Sequence, residues 1–175
     1  MKERKDLTNH IAIIQSYFSN GNKDGCGVAF LDSDNNIVVK KSCENALKFW
    51  LNNYDKLRII TNMCIFHNRF AVGSEVNNEN SHPFLNEKGD MALVHNGVLF
   101  NYSKVKKFLI KKGHKFSSDV DSEILLHSFE EWGYNFIKEL RKFGVSGSAT
   151  ILIMKKDEIL AYTNNNSLCI FELDN

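Results

Sequence analysis

Two segments of this chain, LRIITNMCIFHNRF (57–70) and MALVHNG (91–97), are apolar with almost no polar alternation. Successive side chains of a strand point to opposite faces, so a sheet with one wet face needs alternation and a sheet covered on both faces does not. These two segments therefore require cover above and below. Around them, CGVAFLD and IVVKK flank the polar run Asp32–Asn36, the pattern of a β-hairpin, and CENALKFWLNN places Ala46, Leu47 and Trp50 at helical spacing.

Upstream, MKERKD reads as a charged, frayed tip, with Lys2, Arg4 and Lys5 in solvent. A helix is then expected from a cap at Asn9, with Ile11, Ile14, Tyr17 and Phe18 as its apolar stripe, broken by Gly21 and Gly25. The stretch GSEVNNENSHPFLNEKGD reads as a long polar loop, and MALVHNG as a strand ending in a glycine turn. Three helical patterns follow, YSKVKKFLIKKG, DSEILLHSFEEWG and YNFIKELRKFG, the first two closed by Gly113 and Gly133. The chain finishes on the strand patterns SATILIMKK, EILAYT and SLCIFEL. Strands, then helices, then strands, without regular βαβ alternation, predict an α+β fold with two stacked sheets between helical layers. No repeat or linker interrupts it, and 175 residues with 43% hydrophobic content fit one domain over 1–175.

Composition narrows the function classes. Lys plus Arg is 22 against 21 for Asp plus Glu, which gives no global field for nucleic acid or an anionic membrane. No apolar run reaches the roughly 18 residues of a spanning helix. Cys26, Cys43, Cys64 and Cys169 form no CxxC pair, so neither a disulfide framework nor a zinc ribbon is expected, and a reducing cytoplasm fits them. His67, His82 and His95 have no HxxxH or HxH spacing, and no metal site is expected from them. Lys104, Lys106, Lys107, Lys111 and Lys112 read as the wet face opposite Val105, Phe108 and Leu109. No G-x-x-x-x-G-K loop is present, so no nucleotide or other cofactor is expected.

Chemistry concentrates where the two buried strands end. Arg69 is either a fork for a substrate carboxylate or an ordinary arginine, at the surface or paired with a carboxylate of the protein. Asn96-Gly97 is either a hairpin turn with positive φ or a side-chain amide and a bare backbone N–H aimed at a developing oxyanion. Asp119, Asp121 and Glu123 either contact a ligand or compensate a helix N-terminus.

In their order along the chain, NKDGCGVAF, FHNRFAVGS, NSHPF, LVHNGVLFNYSKVKKFLIKKGHKF, DVDSEILLHSF and GVSGSATILIMKKDEILAYTNNN resemble class II glutamine amidotransferase domains, a branch of the N-terminal nucleophile hydrolases. The resemblance runs from about Leu7 onward. It implies an αββα four-layer sandwich that hydrolyses glutamine to glutamate and ammonia, with the ammonia used by a synthetase or transferase that would here act in trans. By motif, Arg69 in HNRF would hold the glutamine α-carboxylate, Asp121 in DVDSE its α-ammonium, and Asn96 and Gly97 in HNG the oxyanion.

The resemblance also implies an N-terminal cysteine nucleophile, whereas this chain begins Met-Lys-Glu-Arg and lacks the family's opening strand. Cys26 is the substitute nucleophile within the chain, but its place after NKDG in an apolar run reads as a core thiol. Exposure of Thr8 by cleavage leaves too little chain for both strand and helix. Two expectations follow: a glutaminase whose nucleophile is absent from this sequence, or a catalytically silent binding or regulatory protein of the same fold.

Overall fold

The computed structural model describes residues 3–164 and 167–169. Strand β1 (Lys5–Asp6) leads into α1 (Thr8–Tyr17) and a single 3-10 turn. The hairpin β2 (Cys26–Leu31) and β3 (Ile37–Ser42) is followed by α2 (Ala46–Asn53), β4 (Ile60–Thr61) and β5 (Cys64–Asn68). After a long connection come β6 (Phe84–Leu85), β7 (Ala92–Phe100), helices α3 (Ser103–Lys111), α4 (Ser122–Trp132) and α5 (Phe136–Lys142), and the strands β8 (Ser146–Met154) and β9 (Ile159–Asn164).

One sheet has the order β3-β2-β5 and a second β6-β7-β8-β9, antiparallel throughout, with β1 and β4 forming a separate two-residue ladder. The period-2 geometry explains the missing alternation. In β2, Val28 and Phe30 pack with Phe49 and Trp50 of α2 and Ile11 of α1, whereas Ala29 and Leu31 face the second sheet. In β7 and β8, Leu93, Ile151 and Ile153 pack against α3, α4 and α5, while Ala92, Val94 and Met154 join the layer between the sheets. Three apolar layers separate four structural ones: this is the αββα sandwich.

The polar residues that tie the layers were not evident from periodicity. Gln15 is 1% exposed. Its Nε2 donates to the carbonyls of Gly27 (3.1 Å) and His67 (3.0 Å), and its Oε1 accepts from Trp50 Nε1 at 3.0 Å. One amide thus joins α1 to α2, β2 and β5.

Several local expectations are corrected. Helix α1 buries Thr8, Ile11, Ala12 and Gln15 and leaves Ile14, Tyr17 and Phe18 exposed, so the stripe read from the sequence lies partly on the wrong face. Its first turn is satisfied not by Asn9 but by Asp6, whose Oδ1 accepts from Thr8 N and Oγ1 at 3.0 and 2.6 Å. Arg4 is not a frayed tip residue: it donates to Leu31 O and Asn35 Oδ1. The apolar segment 57–70 breaks into β4 and β5, and β7 continues three residues past Gly97. The turn falls instead at Asn101, where φ is +62°. Lys2, and all of the expected strand SLCIFEL beyond residue 169, lie outside the described residues.

Candidate functional site

A cavity of about 360 Å³ opens where β5, β7 and the start of α4 converge. Strand β5 supplies His67 and, immediately after its end, Arg69; β7 supplies His95, Asn96 and Gly97; the head of α4 supplies Asp121 and Ser122. Arg69, Asn96, Gly97 and Asp121, proposed from sequence on separate grounds, therefore line one space.

Arg69 is only 3% exposed. Its Nη2 donates to Ser74 Oγ at 2.6 Å and its Nη1 to the carbonyls of Glu75 (3.1 Å) and Asp24 (3.5 Å). All three acceptors are neutral, and Arg69 makes no ion pair among the described residues, so the reading of it as paired with a protein carboxylate is not what the structure contains. Burial pushes its pKa down and the nearby Asp24 carboxylate opposes that. Asp24 is itself fixed by the Ala71 N–H at 2.9 Å. A buried guanidinium with neutral partners retains most of its attraction for an anion.

Asp121 stands at the head of α4, but its side chain does not cap the helix. Instead Oδ2 accepts the Leu99 N–H at 2.5 Å and Oδ1 the Ser122 hydroxyl at 3.4 Å, which fixes the carboxylate in the cavity wall. It too makes no ion pair among the described residues. The three acids of the motif divide their roles. Asp119 and Asp121 line the cavity, whereas Glu123, 2% exposed, accepts from the N–H and hydroxyl groups of Ser117 and Ser118 at 2.7–2.8 Å and holds the preceding loop.

Asn96 and Gly97 lie within β7 and are not a hairpin turn. Asn96 Oδ1 is 2.9 Å from His67 Nε2. Burial pushes the His67 pKa down to about 4, so at neutral pH the ring donates through Nε2–H as a neutral group. That bond fixes the amide with its oxygen toward His67 and its Nδ2 on the opposite side. Gly97 has φ +141°, and a Cβ there would lie 2.0 Å from the Ser148 carbonyl oxygen. Only glycine permits β8 to approach so closely.

The cavity histidines are uncharged for a common reason. Burial lowers the pKa of His82 and His95 as well. His82 packs against His67 with the rings tilted at 42° and their centroids 4.4 Å apart, and His95 Nδ1 lies 2.9 Å from Ser122 Oγ. Although all three line the same space, their nitrogens do not form a cation-holding group among the described residues. The positive charge beside the cavity is therefore that of Arg69, and a developing negative charge near Asn96 would meet neutral dipoles.

Cys26 is fully buried in the layer between β2 and the helices α1 and α2, and it does not line the cavity. Desolvation, reinforced by Glu44, pushes its thiol up to about 12. A thiol in that state is a packing group at neutral pH. Sequence reasoning missed Ser74 and Asp24 beside Arg69, the His67 anchor of Asn96, and the Ser122 contact to His95. Each is an ordinary polar residue whose partner is distant in sequence, and only the HNR and HNG placement at strand ends hinted at the cluster.

Against known proteins, the family described as glutamine amidotransferase domain matches residues 51–154, more than half of the chain. Relatives named glutamine-fructose-6-phosphate aminotransferase (isomerizing) include that of Francisella tularensis, 32% identical over 84% of this chain and 25% of its own length, and that of Thermotoga maritima, 37% identical over 62% and 18%. The chain thus spans a quarter or less of these relatives. Among solved structures, glutamine phosphoribosylpyrophosphate amidotransferase from B. subtilis superposes with a TM-score of 0.72 at 21% identity, covering 93% of this chain and 36% of that one. A predicted glutamine amidotransferase from Pseudomonas aeruginosa gives 0.52 at 19%, covering 81% and 60%; both likenesses bear on the fold. The family match, carried on the four-layer sandwich, shows that this chain belongs to the class II glutamine amidotransferase domains.

Proposed function

We propose that the cavity binds free glutamine as a zwitterion, and that residues 1–175 act as a single glutaminase domain delivering ammonia to a synthetase or transferase. The observation that carries this reading is one cavity lined by a buried cation and a fixed carboxylate, neither ion-paired among the described residues. Arg69 takes the α-carboxylate through its two-pronged donor edge, and Asp121 takes the α-ammonium. The γ-carboxamide then extends toward Asn96 and Gly97. When a nucleophile attacks its carbonyl carbon, the charge that develops on oxygen is met by Asn96 Nδ2–H and the Gly97 N–H, and ammonia departs. The names of the relatives, each a glutamine-dependent aminotransferase or amidotransferase, support the substrate.

A specific observation favours a second reading, a binding protein without turnover. None of Cys26, Cys43, Cys64 and Cys169 lines the cavity. Calorimetry with L-glutamine, run beside an ammonia-release assay on the 175-residue chain, separates the possibilities. Saturable 1:1 binding with ammonia release supports the enzyme, and binding alone supports the silent protein. No heat at millimolar glutamine refutes both. Release abolished by Cys26→Ala would show that the buried thiol reaches the cavity.

A further inference from the structure

Outside the cavity, four side chains from three segments converge: Glu87 from the β6–β7 connection, His114 from the loop after α3, and His127 and Glu130 from one face of α4. One donor atom from each lies within 4.8 Å of all the others. Glu130 Oε2 is 2.8 Å from His127 Nδ1 and 3.6 Å from His114 Nδ1, and Glu87 Oε2 is 3.7 Å from His127 Nδ1. Four ligands on bonds of about 2.0–2.1 Å in a tetrahedral set lie about 3.4 Å from one another, so small side-chain shifts bring these atoms to that spacing.

Of the atoms that face away from this point, the two carboxylate oxygens are hydrogen-bonded and the two ring nitrogens each face a carboxylate. Glu87 Oε1 accepts the Lys115 N–H at 2.6 Å, and Glu130 Oε1 accepts from Asn86 Nδ2 at 2.8 Å. His114 Nε2 faces Glu131 Oε2 at 3.6 Å. His127, 1% exposed, turns Nε2 toward Glu123 Oε1 at 3.6 Å, and that nitrogen has no hydrogen-bond partner. A carboxylate behind an imidazole, with the other ring nitrogen presented inward, is the outer-shell arrangement that orients histidine on a metal. The two inner side chains are nearly sealed, while Glu87 is 35% exposed and leaves an entry path.

We propose that Glu87, His114, His127 and Glu130 form a structural site for a divalent transition-metal ion of the zinc type, joining both flanking loops to α4. Two imidazoles and two carboxylates suit zinc, and four protein ligands leave no open position for catalysis. None of the four lines the cavity, so this site stands or falls independently of glutamine binding.

The test is titration of the EDTA-dialysed full chain with Zn2+ by calorimetry, with Co2+ as a spectroscopic probe. We expect one Zn2+ per chain, a higher melting temperature with zinc, and visible Co2+ bands of tetrahedral type. His114→Ala and Glu87→Gln alter loop side chains that are 14% and 35% exposed, and each should weaken Zn2+ binding at least tenfold while leaving the metal-free circular dichroism unchanged. Failure to take up Zn2+ stoichiometrically, or uptake that both variants leave intact, would overturn the proposal and leave His127 as an imidazolium shared by its neighbouring carboxylates.

Discussion

Replacing Arg69 separates a residue that holds the fold from one held by the fold for a ligand. Its guanidinium donates to Ser74 Oγ and to two backbone carbonyls and forms no ion pair among the described residues, the Asp24 carboxylate acting on it only from a distance. Hydrogen bonds from a charged donor contribute about 1.5–3 kcal/mol each, and burying an uncompensated cation costs several kcal/mol, so the two contributions nearly cancel. Arg69→Met, which fills the volume without charge, should therefore change the unfolding free energy by no more than about 1 kcal/mol. Glutamine binding is affected very differently. Removing the fork leaves a ligand carboxylate desolvated without a cation, a loss of about 2–4 kcal/mol, or roughly 30- to 1,000-fold in Kd. Arg69→Lys keeps the charge but loses the planar fork and should fall between. Urea unfolding and glutamine calorimetry on the same three proteins provide the measurement. Unchanged glutamine affinity in Arg69→Met would refute the assigned pocket, and loss of several kcal/mol of stability would show that the arginine serves the fold.

Other perturbations test the supports of the site. His67 ordinarily titrates near 6.5 and is pushed down to about 4 by burial, so below pH 6.5 the unfolded chain takes up the proton first. Its contribution of about 3 kcal/mol is complete above pH 6.5, declines as pH falls toward 4 and is flat below that; His67→Gln should reduce the pH dependence of urea midpoints across this range, leaving the part due to His82 and His95, and an unaltered slope would contradict the assignment. Gly97→Ala forces a Cβ to within 2.0 Å of the Ser148 oxygen at φ +141° and should cost at least about 3 kcal/mol, visible as a lower midpoint at constant m-value. Gln15→Leu strands the Trp50 indole N–H and removes a donor from two buried carbonyls, an expected loss of about 2–4 kcal/mol; a neutral result in urea titration would mean that water replaces the amide.

What the sequence disclosed follows from how each feature is encoded. The sandwich was legible because the segment 91–97 carries its cover requirement in its own composition: in β7 Leu93 packs under the helices while Ala92 and Val94 face the other sheet, so its lack of alternation has one explanation. The face of α1 was not, because Ile14, Tyr17 and Phe18 are as apolar as Ile11 while the true inward residue is Gln15, chosen by partners 12 to 52 positions away. The strand continuing through Asn96-Gly97 was misread as a turn for a related reason. Local chemistry permits a hairpin there, and only the Ser148 carbonyl, brought alongside by β8, shows that the missing Cβ makes room for a neighbouring strand.

The same logic sets the limit at the cavity. Arg69 and Asp121 were identifiable as charges at strand and helix ends, yet their standing as unpaired charges depends on what lies nearby, namely neutral carbonyls, a serine hydroxyl and a leucine N–H. A chain can carry many arginines and aspartates at element ends, and most find a counter-ion on folding. Here two opposite charges, drawn from different elements, reach one cavity without forming an ion pair among the described residues, an arrangement that adds little to stability and retains electrostatic energy for a ligand bearing both complementary charges.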